Sequence, residues 1–170
     1  MPELPYRIAV LVYLFDHEGR LLLLHRAKPP NFELFSPIGG KLEQQDGESP
    51  TACAVRETRE EVGLEITADD LHLVGIVSEC SYEDSGHWLL FCYEVTRPVA
   101  LTSMACVEGR LEWHAIDRVM ELAIPDTDRR IIWPAFLKHR GGGFFMVHID
   151  CTGGRLDWTY EQSFPPRPAP

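Results

Sequence analysis

The chain has no excess of positive charge. Its 170 residues include 16 Lys and Arg against 26 Asp and Glu, giving a formal net charge of -10. A nucleic-acid duplex is held largely through its phosphates by basic side chains, so this composition argues against duplex DNA or RNA as a partner. An anionic small molecule can still bind, provided that divalent cations and a few local Lys or Arg groups neutralise it.

Cysteines are few, and long apolar runs are missing. The five cysteines are scattered, without a CxxC pair or a Cys/His cluster at zinc-ligand spacing, and we interpret them as reduced thiols. No segment reaches the roughly 18 apolar residues of a membrane helix. The short apolar run near the N-terminus lacks the basic region and cleavage site of a signal peptide. We therefore expect a cytoplasmic protein with no membrane partner.

The length and the 45% hydrophobic content suit one domain with one sizeable core. We predict a single domain over residues 1–162, followed by a disordered tail over 163–170, where the sequence is SFPPRPAP. A monomer and a homodimer are both compatible with this sequence.

Segments rich in β-branched and aromatic residues alternate with turn residues along most of the chain. They predict strands at 7–15, 20–27, 71–80, 87–95 and 110–116, and a C-terminal hairpin within 144–162. The first two strands are expected to form a hairpin, or at least to be adjacent. Helical patterns cover 50–62, 117–122 and 126–140, the last interrupted by Pro134. This order predicts an α+β fold with mixed sheets.

The helix over 50–62 has clear start and stop signals. Ser49 can cap its free amides, and Pro50 is tolerated in the first turn because its missing N–H would be unpaired there. Gly63 is suited to the left-handed residue that ends a helix. The face that should meet the core carries Thr51, Val55, Thr58 and Val62.

Another face of this helix presents Glu57, Glu60 and Glu61 together. Three like charges so close repel one another unless a cation neutralises them. Hard cations such as Mg²⁺ and Mn²⁺ prefer oxygen ligands. The backbone of Gly39 and Gly40 can approach closely because no side chain intervenes. We therefore predict a metal site at these five residues.

Two further charged residues support this prediction. Glu48 places negative charge near the positive end of the helix dipole, and Arg56 can bind a carboxylate through two N–H groups. The alternative is that a helix rich in Glu and Arg is only a solvated face. The glycine pair, Lys41, Glu48 and Gly63 at fixed spacing favour a site.

The stretch from Gly39 to Leu64, GGKLEQQDGESPTACAVRETREEVGL, resembles the Nudix box of the Nudix hydrolases. That signature reads Gly, five residues, Glu, seven residues, Arg-Glu, an aliphatic, any residue, Glu-Glu, any residue, Gly and an aliphatic. The matching residues are Glu48, Arg56, Glu57, Glu60, Glu61, Gly63 and Leu64. Two features depart: seven residues rather than five separate Gly40 from Glu48, and Thr58 replaces the first aliphatic.

The resemblance implies a Nudix fold, an αβα sandwich around a mixed β-sheet. It also implies Mg²⁺-dependent hydrolysis of a nucleoside diphosphate linked to another group. Glu57 and Glu61 would be direct metal ligands, and Glu60 a third ligand or the base. The longer loop leaves open whether Gly39 and Gly40 still reach the metal face.

The rest of the chain is similar to the MutT-type branch, which hydrolyses 8-oxo-dGTP to the monophosphate and pyrophosphate. The resemblance assigns Glu108 to the metal site, with Glu112 as a competitor. Asp126 would read the purine edge, although an N-cap role is equally compatible. Ser36 occupies the position of a base-reading Asn and Ile124 that of an aromatic residue, so the base selectivity is expected to differ.

Arg26, Lys28 and Lys41 are the candidate phosphate partners. Within the family, Glu79 stands where ADP-ribose hydrolases have a proline, which argues against that class. Tyr82 keeps dinucleoside-polyphosphate or nucleotide-sugar hydrolysis as an alternative. A nucleotide-binding module without catalysis is a further alternative, although all the box glutamates and the box arginine are present.

Overall fold

The computed structural model describes residues 6–84 and 86–168 of the chain, so parts of the predicted domain (1–5) and tail (169–170) lie outside the described residues. The described chain contains ten strands and two α-helices, joined by short 3₁₀ and π-helical turns. The strands are β1 (Tyr6–Tyr13), β2 (Leu21–Arg26), β3 (Phe35–Ser36), β4 (Ile38–Lys41), β5 (Leu71–Cys80), β6 (His87–Val95), β7 (Ala105–Cys106), β8 (Gly109–His114), β9 (Phe144–Asp150) and β10 (Asp157–Phe164). The helices are α1 (Pro50–Val62) and α2 (Trp133–His139).

The strands form two sheets. A six-stranded mixed sheet has the order β10-β9-β5-β6-β1-β4, with the β1–β6 and β5–β9 pairs parallel. A four-stranded antiparallel sheet has the order β3-β2-β8-β7. The predicted hairpin of β1 and β2 is wrong, because the two strands separate into different sheets after one bridge between Phe15 and Leu21. Since β1 already pairs with β6 and β4, it has no free edge for β2.

The six-stranded sheet lies between two apolar cores, because alternate residues of each strand point to opposite faces. Val10 and Val12 of β1 pack with residues of α1 on one face. Ala9 and Tyr13 pack with α2, including Phe136, on the other. This arrangement confirms the predicted α+β fold and αβα sandwich.

Helix α1 begins and ends as predicted. Ser49 Oγ accepts a hydrogen bond from Ala52 N at 3.1 Å, and Gly63 adopts the left-handed conformation with φ of 68°. The predicted core face is only partly correct, since Thr51 and Val55 are half-buried. The buried residues are Cys53, Ala54, Thr58, Glu61 and Val62, so the buried stripe is rotated toward the glutamates.

The C-terminal part differs from the prediction in two places. The helical run over 126–139 is continuous, but it contains a π-helical turn over Asp128–Ile132 just before α2, and Pro134 lies in the first turn of α2. Strand β10 continues to Phe164, two residues into the tail predicted to be disordered, because β9 offers its edge for pairing. Ser163 Oγ also contacts His139 Nε2 at 2.8 Å. Over residues 6–84 and 86–168, no helix has the length and apolar character needed to cross a membrane.

Candidate functional site

A cavity of about 650 Å³ brings most of the predicted site residues together. Its lining includes nine of them: Arg26, Ser36, Gly39, Gly40, Lys41, Glu57, Glu60, Glu61 and Glu108. Arg56 and Glu48 lie directly behind this wall, whereas Asp126 is exposed and does not line the cavity. The strands β1, β4, β5 and β6 and the helix α1 all contribute to the cavity.

Arg56 organises the carboxylates of α1. Its Nε and Nη2 donate to the two oxygens of Glu48 at 2.7 and 2.9 Å, so Glu48 is the carboxylate that Arg56 binds through two N–H groups. Its Nη1 donates to Glu57 Oε1 at 2.7 Å and to Glu60 Oε2 at 3.1 Å. These hydrogen bonds lower the pKa of Glu48 to about 2. Arg56 therefore holds Glu48 ionised and fixes the direction of the Glu57 carboxylate.

The seven-residue loop before Glu48 does not displace the glycines. Its extra length is accommodated in an exposed 3₁₀ turn over Gln44–Asp46, which ends at Gly47 with φ of 68°. Glu43 N donates to Glu48 Oε2 at 2.9 Å and closes the loop. Strand β4 remains paired with β1, and it contacts α1 through the N–H of Gly39 and through Gly40, which lies against Glu57.

Contact between β4 and α1 depends on these glycines. Gly39 N donates to Glu61 Oε2 at 3.1 Å. A Cβ on Gly40 would overlap the Glu57 carboxylate, and a Cβ on Gly39 would overlap the backbone of Val10. Only glycine therefore permits this close approach.

The three α1 carboxylates differ in burial. Glu61 is only 9% exposed, and burial raises its pKa to about 7, with Glu57 adding to the rise and the Gly39 hydrogen bond opposing it. Burial also raises the pKa of Glu57. The side chain of Glu60 is 52% exposed and lies at the rim. Glu57 and Glu61 thus form the inner part of the acidic wall.

Within the part of the chain that the structure describes, no three His, Cys, Asp or Glu side chains form a ready-made metal cluster. Arg56 engages one oxygen of Glu57, and Gly39 engages one oxygen of Glu61. The donor set nevertheless suits Mg²⁺, which keeps several waters and shares substrate phosphates, and so needs few protein oxygens. Glu57, which fits closely against Gly40, and Glu61 both line the cavity, where they can bind such an ion.

Glu108 lies on another wall of the cavity. Its carboxylate is 3.9 Å from Arg26 Nη2 and 3.9 Å from Lys28 Nζ. Glu112 instead pairs with Arg110 and His114 and does not line the cavity. The geometry therefore favours Glu108 over Glu112 as the carboxylate near the metal face.

Asp126, to which the resemblance gives the reading of the purine edge, does not line the cavity. Its side chain is exposed at the start of a helical turn, and the next two residues, Thr127 and Asp128, line the cavity instead. Thr127, the residue before the π-helical turn, makes no capping hydrogen bond with its side chain. The helical geometry of this segment rotates Asp126 outward.

Two acids in the cavity wall, Glu79 and Asp128, were not predicted as site residues. Glu79 is 4% exposed, and burial raises its pKa to about 8, with Asp128 adding to the rise. Burial likewise raises the pKa of Asp128 to about 7. A sequence signal existed for Glu79: the period of two in the 71–80 strand places it on the same face as Val77, which is buried.

Two buried donors of the cavity wall have no partner in the described residues. These are Ser36 Oγ and Trp88 Nε1, in residues that are 8% and 9% exposed. Buried polar groups are normally hydrogen-bonded, so both groups are available to a ligand. Tyr82 also lines the cavity, and its hydroxyl donates to Asn31 Oδ1 at 3.0 Å.

Comparison with protein families gives one clear match: the NUDIX domain model covers residues 5–133. Among curated proteins, dihydroneopterin triphosphate diphosphatase of Escherichia coli K12 is 31% identical over 83 residues. This alignment covers 49% of the chain and 52% of the relative, so the chain spans about half the length of the curated relatives it matches.

Solved structures extend the similarity to most of the chain. A mutator MutT protein from Bacillus halodurans matches with a TM-score of 0.71 and 25% identity, over 91% of this chain and 97% of its own. A MutT protein from Methanosarcina mazei Go1 has a TM-score of 0.63 and 21% identity, over 81% and 94%. The NUDIX domain of Shewanella oneidensis NrtR, complexed with ADP ribose, has a TM-score of 0.63 and 18% identity, over 75% and 84%. The last two support the fold alone.

Proposed function

Since the chain belongs to the NUDIX domain family, we propose that it is a MutT-type pyrophosphohydrolase. It would cleave a nucleoside diphosphate linked to another group, using a divalent metal. The observation that carries this proposal is the shared cavity, in which Glu57 and Glu61 face the same space as Arg26 and Lys41. Carboxylates that can hold a cation and basic groups that can bind phosphate therefore meet in one place.

Glu57 and Glu61 would hold Mg²⁺, or Mn²⁺ in its place, with Gly39 and Gly40 permitting the close approach. When bound, the metal would neutralise phosphate charge and lower the pKa of an attacking water. Glu60, at the exposed rim, would be a third ligand or the base.

The other residues have separate roles in this proposal. Arg26 and Lys41 would bind the phosphate oxygens and orient the anhydride bond. Glu108, next to Arg26, would lie close to the metal on the facing wall of the cavity. Arg56 and its partner Glu48 would position the metal-holding carboxylates without touching the substrate.

We favour a triphosphate substrate, which would be cleaved to a monophosphate and pyrophosphate. There are two leads for the substrate. The sequence resemblance implies an oxidised nucleotide such as 8-oxo-dGTP, and the curated relative is named after dihydroneopterin triphosphate. A dinucleoside polyphosphate or nucleotide sugar is the second candidate, supported by Tyr82 in the cavity wall. A cytoplasmic location and a monomeric or homodimeric state stay predictions.

The test is a hydrolysis screen with Mg²⁺ over dNTPs, 8-oxo-dGTP, dihydroneopterin triphosphate, diadenosine polyphosphates and ADP-ribose. Glu61→Gln should lower kcat on the best substrate by on the order of 100-fold or more, because a metal contact supplies several kcal/mol. Glu65→Gln, an exposed carboxylate just beyond α1, is the matched control and should keep parental activity.

Two outcomes of this screen would contradict the proposed hydrolase function or the role of Glu61 in it. Activity of Glu61→Gln within a few-fold of the parent would remove the role assigned to Glu61. Hydrolysis of none of these compounds by the parent, together with nucleotide binding, would favour a module that binds without catalysis.

A further inference from the structure

One face of the six-stranded sheet is only partly covered by the described chain. Helix α1 packs against β1 and β4 at one end of this face, and α2 packs on the opposite face of the sheet. Four half-buried apolar side chains on β5, β6 and β9 belong to neither of the two cores: Ile76, Leu89, Phe144 and Met146. They lie on the α1 side of the sheet, beyond the end that the helix covers.

The strand register makes these side chains neighbours. Ile76 pairs with Met146 across β5 and β9, and Phe144 pairs with Phe164 across β9 and β10. Paired residues of adjacent strands point to the same face of a sheet, so these apolar groups form one continuous surface. At its margin the side chain of Phe164 is 59% exposed. We call this surface the back face and define it by Ile76, Ser78, Leu89, Phe144, Met146 and His148.

The polar groups of the back face are already paired. Ser78 lies between Leu89 and His148 in the register, and Ser78 Oγ is 2.7 Å from His148 Nδ1. A partner could cover these two atoms without breaking their hydrogen bond, which keeps the cost of removing water low. None of the six residues is Asp, Glu, Lys or Arg, and the β10 residues that extend the face, Thr159 and Gln162, are also uncharged.

The distribution of charge indicates which partner fits this face. The chain has a formal net charge of -10, so two copies repel one another wherever acidic surfaces meet. At the back face two copies can meet without a contact between like charges. The nearest acids are Asp150 and Asp157, which pair with each other at one end of β9 and β10. If the strands of the two copies run antiparallel, these acidic ends lie at opposite ends of the contact. A basic partner would instead be attracted to the acidic surfaces outside the back face.

The size of the back face suits a weak dimer. It spans four strands, β6, β5, β9 and β10, at about 4.8 Å per strand, and about six residues at roughly 3.4 Å each, which gives about 400 Å² in each copy. Two such faces would bury about 800 Å², and a rim one residue wide brings the total above the roughly 1,000 Å² that a specific interface needs. Sheets that pack face to face bury their inner side chains in a layer about 10 Å thick.

We propose that the back face is the interface of a homodimer, in which two copies pack sheet on sheet with antiparallel strands. The two-fold axis passes near the pair of Ser78 and His148, and the same surface of each copy meets its equivalent. Glu79 and Trp88, which alternate with the back-face residues along β5 and β6, line the cavity on the other side of the sheet. Both cavities therefore stay open in this dimer.

The test is sedimentation velocity, with light scattering after size exclusion, over a concentration series of the full chain. We expect a monomer–dimer equilibrium with a dissociation constant on the order of micromolar, as for other small interfaces. Met146→Glu should raise this constant about 10-fold or more, because it places an unpaired charge from each copy in the centre of the contact. Phe164→Glu should raise it as well, and its exposed side chain can be changed without disturbing the fold. If Met146→Glu does not fold, Phe164→Glu gives the same measurement.

Tyr160→Glu is the matched control. Tyr160 lies on the same strand as Phe164 and is 41% exposed, but its partner Val147 belongs to the α2-side core, so it points to the opposite face. The substitution adds the same charge and should leave the dissociation constant within about 2-fold of the parent, since it removes no contact of the dimer.

Three outcomes would overturn the dimer. These are a parent that stays monomeric up to about 1 mM, a parental dissociation constant in Phe164→Glu, and an equal rise in Phe164→Glu and Tyr160→Glu. A dimer formed through the free edge of β10 would give the second or the third result. The measurement uses no substrate and no metal, so it does not depend on the proposed hydrolase function.

Discussion

Arg56 has a position in this protein that no other cation could fill equally well. Its guanidinium donates to Glu48, Glu57 and Glu60 at once, and also to the backbone oxygen of Lys41 at 3.2 Å. A planar fork with five N–H groups can meet such a set, whereas an ammonium group is a single point of charge. The residue thus joins the loop before α1 to the acidic face of the helix.

Arg56→Lys should therefore affect both stability and activity. We expect the free energy of unfolding to fall by about 1–3 kcal/mol, since charged hydrogen bonds are lost around half-buried carboxylates. The kcat should fall as well, because Glu57 loses its fixed direction. Urea denaturation with EDTA and steady-state kinetics measure the two effects. Arg59→Lys, an exposed arginine on the same helix, is the control, and equal behaviour of the two variants would contradict this role for Arg56.

Residue identities in the box were predictable because a motif with fixed spacing constrains them locally. The chemistry of Arg56 predicted a bidentate contact with a carboxylate, but only the fold shows that its partner is Glu48. Asp126 and Asp128 were not separable in this way, since the choice depends on how a π-helical turn rotates them toward the cavity. Glu79 had a signal in the strand alternation, but only the fold shows that Glu79 and Asp128 line the same cavity.

At the scale of elements, α1 and β4 form the unit that shapes the metal face. The helix places Glu57 and Glu61 next to β4, where the two glycines of the strand allow a close approach. The loop between them is exposed and closes on itself through Glu43 and Glu48. The shape of the metal face therefore depends less on the length of that loop than on the missing side chains at Gly39 and Gly40.

Gly40→Ala tests this contact. The added Cβ would overlap the Glu57 carboxylate, which must swing away and lose its hydrogen bond to Arg56. We expect the Mg²⁺ concentration for half-maximal activity to rise about 10-fold, as for other losses of ligand orientation. Gly47→Ala is the control, because its left-handed φ makes the substitution strained but there is open space around it. A similar rise in both variants would mean that general strain, and not contact with Glu57, causes the effect.

The bounds of elements with clear start and stop residues were predicted well. The pairing of strands into sheets was not. Ser49, Pro50 and Gly63 fix the ends of α1, and the strands over 71–80 and 87–95 have the bounds expected from their composition. The partner of β1 could not be read in the same way. Its two apolar faces fit a hairpin with β2 as well as a central position in a larger sheet, and only long-range packing decides between them.

For the molecule as a whole, the enclosed carboxyls link protonation to stability. Burial raises the pKa of Glu61 and Asp128 to about 7 and that of Glu79 to about 8. In the unfolded chain these groups ionise near the ordinary values of 4.5 for Glu and 3.8 for Asp. At pH values between the unfolded-state and the folded-state pKa of these groups, the folded protein binds more protons than the unfolded chain. The free energy of unfolding must therefore decrease as the pH rises across this window.

We expect metal-free protein to lose a few kcal/mol of stability between about pH 5 and pH 8, and little more above that range. Urea denaturation with EDTA at a series of pH values measures this slope. Glu79→Gln should flatten it, because the amide cannot ionise, whereas Glu65→Gln, an exposed acid, should not. Mg²⁺ should restore part of the loss at high pH by binding the ionised Glu61, but should leave the part due to Glu79. A stability of the parent that is constant or rising across this window would show that these acids are already ionised in the folded protein.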